Sequence, residues 1–205
     1  MNRRDFLKLL GLAGGTIFLP NVFWNAYKYA WFIGDSELQG YPLDPYSRFT
    51  TRAYIMHEAT GYCFCGTLDG GTHDAHNGWR TDELLEGIPV WAETIQVPEL
   101  VIVNAGTNDV LQSTGYKLHD IMSTLRTLFP AARLVATRIF GPLDMHAQTV
   151  AYNNTQVDTL QDVDFVNLEG MPEEYYWTDR LHPNADGQAW MGLQYVSQLS
   201  LGSHV

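Results

Sequence analysis

Two apolar runs constrain this chain most: Tyr29 to Ile33 and Leu100-Val-Ile-Val103. Neither alternates with polar residues, and each stops at turn-forming residues. Such runs suit strands buried on both faces, which are found in parallel sheets with helices on either side. The rest of the chain fits that frame. Tyr116 to Phe129 carries apolar residues at helical spacing (Leu118, Ile121, Met122, Leu125, Leu128) and stops at Pro130. Further helices are expected over Ser47 to Tyr62, capped by Ser47 and ended by Gly61; from Thr81, with Glu83 and Glu86 making an acidic first turn; over Ala147 to Leu160; and over Asn184 to Leu199, with Pro183 near the first position. Strands are expected over Tyr62 to Cys65, Leu134 to Ile139 and Asp164 to Leu168. Asp69 to Gly78 is expected to be a loop, being polar and rich in glycine. Strands alternating with helices predict an α/β fold: a parallel central sheet with right-handed crossovers and helices on both faces.

In such sheets ligands bind beyond the carboxyl ends of the strands. Gly34-Asp-Ser36 follows the first strand, Gly106-Thr-Asn108 follows the Leu100 strand, and Asp179-Arg-Leu-His182 precedes the last helix. All three fall on that one edge. A serine after a strand is either a helix cap or a nucleophile. A hydrolytic serine needs a base in reach, a group to orient the base, and donors for the oxyanion. His182 is the candidate base for Ser36. Asp179 lies three residues earlier, so one short loop can set its carboxylate against the imidazole. The Ser36 N–H, the Gly78 N–H and the Asn108 amide are the candidate oxyanion donors. A glycine at position 78 lets a backbone N–H approach a substrate closely.

These blocks resemble the SGNH hydrolases, also called the GDSL esterase/lipase family. Gly34-Asp-Ser36 with Gly40 matches the nucleophile block. Gly78 in Asn77-Gly-Trp-Arg matches the glycine block. Gly106-Thr-Asn108-Asp109 and Asp179-Arg-Leu-His182-Pro-Asn match the other two. The four stand in the family's order, and the resemblance runs from about Tyr29 to Leu199. It implies a flavodoxin-like three-layer α/β/α sandwich, a Ser36-His182-Asp179 triad, and an oxyanion hole from Ser36, Gly78 and Asn108. That mechanism needs no cofactor, and no metal is expected. The G-x-S-x-G elbow of the α/β-hydrolases does not occur around Ser36. His76-Asn-Gly-Trp79 further resembles the carbohydrate-esterase branch, which removes acetyl groups from xylan and related sugars. Trp79 and Trp177 are then candidate sugar-stacking residues, with packing the plain alternative for Trp79 and Trp91.

The expected activity is that of a serine esterase acting on small acyl esters, acetyl above all, on a small-molecule or polysaccharide substrate. Alternatives with the same chemistry are a lysophospholipase or thioesterase and a sugar O-acetyltransferase; a binding module that keeps the fold is the non-enzymatic one. A net charge of −11 over 205 residues excludes nucleic acid as an expected partner.

The first residues differ in kind. Arg3-Arg4-Asp-Phe6-Leu7-Lys8 followed by a glycine-containing apolar stretch resembles a twin-arginine export signal, with Asn2 where serine or threonine is usual. This divides the chain into residues 1–26, a signal or N-terminal anchor engaging the export machinery, and residues 27–205, the hydrolase domain. The expected location is periplasmic or extracellular, with the membrane touched only through an uncleaved N-terminus. Cys63 and Cys65 are expected to alternate across a strand, point to opposite faces and remain unbonded. His73, Asp74 and His76 lack a further ligand at metal-site spacing and read as solvated loop polarity. Asp35 is expected to brace the nucleophile turn, and Asp109 to bond backbone around the Asn108 loop. Asn153 carries no specific signal.

Overall fold

The computed structural model describes residues 28–43 and 61–199. The expected signal at 1–26 and most of the expected helix from Ser47 lie outside them. Six strands form one sheet: β1 (Lys28–Gly34), β2 (Tyr62–Cys65), β3 (Asp74–Ala75), β4 (Leu100–Asn104), β5 (Arg133–Arg138) and β6 (Asp164–Asn167). The order is β2-β1-β4-β5-β6, with β3 extending the β2 side along β1, and every pairing is parallel. The strand order therefore reverses between β1 and β4. In a doubly wound sheet, that switch point opens the crevice where ligands bind.

The helices are α1 (Ser36–Gln39), α2 (Thr81–Ala92), α3 (Thr107–Gln112), α4 (Leu118–Leu128), α5 (His146–Tyr152) and α6 (Ala185–Gln198). Alternate residues of each strand feed opposite layers. Trp31, Ile33, Val101, Val103, Leu134 and Ala136 pack against α2 and α4 through Leu84, Ile88, Ile121 and Leu125. Ala30, Phe32, Leu100, Ile102, Val135 and Val166 pack against Met191 and Tyr195 of α6. This is the three-layer α/β/α arrangement expected from the unbroken apolar runs. No helix of the described residues is long and apolar enough to cross a membrane.

Several local expectations are corrected. Cys63 and Cys65 are both free, but they share a face of β2, because residues two apart on a strand point the same way. Burial, with the charge of Asp74 behind it, pushes the Cys65 thiol up to about 12. The polar segment from Asp69 is not merely a solvated loop. It contains β3, and His73 and Asp74 are fully buried. Asp74 accepts from the Trp31 indole at 2.7 Å, the Thr67 N–H at 3.1 Å and the Thr67 hydroxyl. His73 Nδ1 accepts the Ala75 N–H at 3.0 Å, which leaves Nε2 to donate to Asp69. The acidic first turn of α2 comes from Asp82 and Glu83 rather than Glu86.

The expected helix from Ala147 starts at His146, and α5 passes into a π turn over Asn153–Val157. Asn153 explains the change. It is fully buried, accepts from the Ile139 N–H at 3.0 Å, and donates to the Ile139 carbonyl at 2.9 Å and to Glu169 at 2.8 Å. Satisfying that amide pins the chain to the end of β5.

Candidate active site

Gly34 must be glycine because a Cβ there would stand 2.2 Å from the Asn104 carbonyl, where β1 and β4 run side by side. The chain then turns at Asp35, whose carboxylate accepts the Glu37 N–H at 3.1 Å and caps α1. Asp35, not Ser36, is therefore the helix cap, and the serine hydroxyl is left for other work. Gly40 closes the helix in the left-handed region at φ 85°, and the Gly40 and Tyr41 N–H groups both donate to the Ser36 carbonyl.

The third turn arrives from the far end of the chain. Ser36 Oγ lies 2.9 Å from His182 Nε2, and His182 Nδ1 lies 2.7 Å from Asp179 Oδ2. The other Asp179 oxygen accepts the Leu181 and His182 N–H groups, each at 3.0 Å. Partial burial works against the charge on Asp179. The His182 and Leu181 N–H groups and the imidazole outweigh it and hold the carboxyl below the ordinary aspartate range. A carboxylate on Nδ1 fixes the tautomer in which Nδ1 carries the proton and Nε2 faces the serine as acceptor.

The loop itself is clasped from several sides. Arg180 takes a left-handed backbone at φ 59°, its carbonyl accepts the Leu143 N–H, and its guanidinium reaches Glu173 at 2.7 Å and Asp144 at 3.2 Å. Asn184 caps α6 by accepting the Gly187 N–H at 3.0 Å.

The expected oxyanion donors sit at the same edge. Gly78 adopts φ 80°, which favours glycine, and a Cβ there would meet nothing within 4 Å. The demand for glycine is thus conformational, with open space over the position. Among the described residues, neither the Ser36 nor the Gly78 N–H has a hydrogen-bond acceptor. Asn108, in the first turn of α3, donates one amide proton to the Trp79 carbonyl at 3.0 Å, which leaves its second for a ligand. Asp109 ties the two blocks together. It accepts the Thr81 N–H at 3.0 Å, the Tyr116 N–H at 2.6 Å and the Thr81 hydroxyl.

The aromatic candidates separate. Trp177 is 43 % exposed, beside the catalytic-loop candidates, and its backbone N–H donates to the His182 carbonyl at 2.6 Å. Trp79 is half-buried and stacks on His76 with ring centroids 4.0 Å apart, while Trp91 lies 4.9 Å from the same imidazole and 6.0 Å from Trp79. Burial among these rings, opposed by the charge of Asp74, pulls the His76 pKa down. Tyr41, which sequence reasoning missed, sets its ring edge against His182 at 5.1 Å and is 40 % exposed. Its position one residue after Gly40 was the only sequence signal. Among the described residues, no group of three histidine, cysteine, aspartate or glutamate side chains is arranged to hold a metal ion.

Such a chain of hydrogen bonds can transfer a proton from serine to imidazole while donors hold a developing oxyanion. That is the chemistry of acyl transfer.

Comparisons with known proteins agree on the class. Residues 32–190 match the GDSL-like Lipase/Acylhydrolase family. Among solved structures, a family 3 carbohydrate esterase from Clostridium thermocellum superposes with a TM-score of 0.71 at 19 % identity, covering 85 % of this chain and 96 % of that one. An acetyl esterase mutant with acetate ion gives 0.66 at 19 %, covering 84 % and 96 %. TesA gives 0.66 at 18 %, covering 85 % and 99 %. At these identities the likeness is one of fold. No curated protein matches by sequence.

Proposed function

Because the chain belongs to the GDSL-like lipase/acylhydrolase family and is an ester hydrolase, we propose that it is an exported esterase that removes small acyl groups, acetyl above all, from carbohydrate through Ser36, His182 and Asp179. The observation that carries the reading is the unbroken relay from Asp179 through His182 to Ser36, at the sheet edge that also holds the Ser36 and Gly78 N–H groups, without an acceptor among the described residues, and the second amide proton of Asn108.

In this scheme Ser36 Oγ attacks the ester carbonyl as its proton passes to His182 Nε2. The carbonyl oxygen takes the negative charge and is held by the Ser36 N–H, the Gly78 N–H and Asn108. Each donor is worth about 3 kcal/mol in the transition state. His182 then returns the proton to the leaving alkoxide, which departs as the alcohol and leaves an acyl-serine. Water, deprotonated by the same nitrogen, attacks that ester and releases the acid, and Ser36 regains its proton. Asp179 stays ionised throughout and steadies the imidazolium. No step calls for a cofactor.

Three features support carbohydrate as the substrate. The solved neighbours include proteins named as a carbohydrate esterase and an acetyl esterase. Trp177 offers an exposed aromatic face next to the relay, and Tyr41 offers a second. Trp79 joins them as a wall behind the Gly78 turn, its ring fixed by His76 and Trp91. Export rests on Arg3-Arg4 and the apolar stretch after them, and suits a polymer that cells cannot import.

The test is hydrolysis of p-nitrophenyl acetate against p-nitrophenyl octanoate by wild type and Ser36→Ala. Wild type turns over acetate in preference to octanoate, and Ser36→Ala loses at least about two orders of magnitude. Equal rates for the two proteins refute the serine mechanism. A preference for octanoate refutes the acetyl reading and favours a lipid or thioester substrate.

A further inference from the structure

Two carboxyl groups that the relay does not use lie directly beneath the nucleophile. Asp35 and Glu37 flank Ser36, and both are completely buried. Their hydrogen bonding is unequal. Asp35 accepts the Glu37 N–H and is further held by backbone at Thr107. Glu37 has a single donor, the Thr107 hydroxyl, 2.6 Å from Oε1. Among the described residues neither Asp35 Oδ2 nor Glu37 Oε2 has a partner, and neither residue forms a salt bridge. Two charges cannot sit so close, out of water and without a cation between them. The pair therefore keeps a proton, and it rests on the member with fewer hydrogen-bond donors, Glu37. Burial, reinforced by the neighbouring Asp35, holds the Glu37 carboxyl well above the ordinary glutamate range. Burial likewise pushes Asp35 up to about 7.

Among the described residues, the surroundings offer this acid no cation. Asp109 of α3 adds like charge behind Asp35. Burial raises the phenols of Tyr152 of α5 and of Tyr176, from the turn before the catalytic-loop candidates, and the negative charge of the nearby acids adds to it. Arg80 senses Asp109 but pairs with Asp82 at the mouth of α2. From α6, Gln188 donates to the Glu37 carbonyl at 2.8 Å and is neutral.

The position of the bond to Thr107 gives the acid its purpose. Thr107 precedes Asn108, and Glu37 follows Ser36. The Glu37–Thr107 contact thus joins the helix that carries the candidate nucleophile to the helix that carries the candidate oxyanion donor, across 70 residues of chain. We propose that Glu37 is a positioning residue that works as a neutral carboxylic acid, locking Ser36 against Asn108, and that its ionisation switches off ester hydrolysis on the alkaline side. The proposal rests on the serine-esterase reading above. Losing this proton to solvent places an anion under the oxyanion, in a low-dielectric setting where like charge opposes the transition state directly. The loss therefore falls on kcat more than on KM.

The experiment follows kcat and KM for p-nitrophenyl acetate from about pH 6 to about pH 10 in wild type, Glu37→Gln and Glu37→Met. Difference infrared spectra of the wild-type chain are recorded over the same range. Glutamine mimics the neutral acid and still accepts from Thr107. Wild-type kcat falls by roughly tenfold or more on the alkaline side, and Glu37→Gln keeps its neutral-pH rate to within about threefold but loses that fall or shifts it up by at least one pH unit. Methionine cannot ionise either, so the fall is also absent in Glu37→Met, whichever variant folds better. A protonated-carboxyl stretch is present in wild type at neutral pH and disappears over the range where kcat falls.

A folded non-ionising variant that keeps the wild-type alkaline fall overturns the proposal, and so does a wild type without the carboxyl stretch at neutral pH. Wild type that turns over no ester defeats the hydrolase reading and the catalytic half of this proposal. The infrared band then still decides whether the acid is neutral.

Discussion

Asp109 is the residue whose loss most clearly separates the scaffold of the site from its chemistry. It is fully buried and accepts three hydrogen bonds, two of them from backbone N–H groups that start α2 and lead into α4. The Thr81 hydroxyl that it receives in turn accepts the Lys117 N–H at 2.7 Å, so the network ties together three segments. Asp109→Asn keeps the shape and removes one acceptor. The cheaper orientation keeps the carbonyl oxygen towards Tyr116 and the Thr81 hydroxyl, and turns the amide nitrogen towards the Thr81 N–H. That forfeits one charge-assisted bond and leaves a buried donor facing another donor, at about 1–3 kcal/mol for each effect. Burial holds the Asp109 carboxyl above its usual range, so an amide recovers part of that desolvation. The net loss is about 3 kcal/mol. For a chain of this size that lowers Tm by roughly 6–12 °C. Thermal unfolding of wild type and Asp109→Asn by circular dichroism at neutral pH measures it directly. Activity falls as well, because Thr81 stands three residues after Gly78 and Asp109 adjoins Asn108. A Tm within about 2 °C of wild type would refute the claim that this carboxylate fastens the two blocks.

Two further outcomes follow from the site. Asp179→Asn places the amide oxygen on the Leu181 and His182 N–H groups and its NH2 against Nδ1, so the imidazole proton moves to Nε2 and Ser36 loses its acceptor; kcat drops by about four orders of magnitude while circular dichroism spectra and KM change little. Gly106→Ala puts a Cβ 2.2 Å from the Tyr152 ring at a backbone φ of 129°, so neither the side chain nor the chain direction can be kept, and the variant loses at least about 3 kcal/mol in denaturant unfolding or fails to accumulate as soluble protein.

What could be read in the sequence was local in origin. The unbroken runs at Tyr29 and Leu100 announce doubly buried strands because burial on both faces leaves no place for a polar residue. Gly34-Asp-Ser36 and Asp179-Arg-Leu-His182 announce their turns because capping and a three-residue loop are decided within a few residues. What could not be read depends on partners far along the chain. Asp74 resembles a solvated loop residue until the Trp31 indole, 43 residues away, is seen to hold it. Asn153 gives no signal because its purpose is to satisfy the backbone of Ile139 and so bend α5 into a π turn. Asp109 was legible as a backbone acceptor, but its donors come from Thr81 and Tyr116 rather than from its own loop.

Glu37 is the sharpest case. A glutamate one residue after a serine in a turn reads as exposed charge, and the local pattern has no means of burying it. Only the meeting of β1 and β4 at the switch point brings Thr107 over it and closes Gln188 of α6 beneath it. The same convergence that assembles the relay from three separate turns therefore also buries the acids between them. A sheet edge built for chemistry gathers more polar groups than the reaction uses, and those left over must be bonded, neutral, or part of the control of the site.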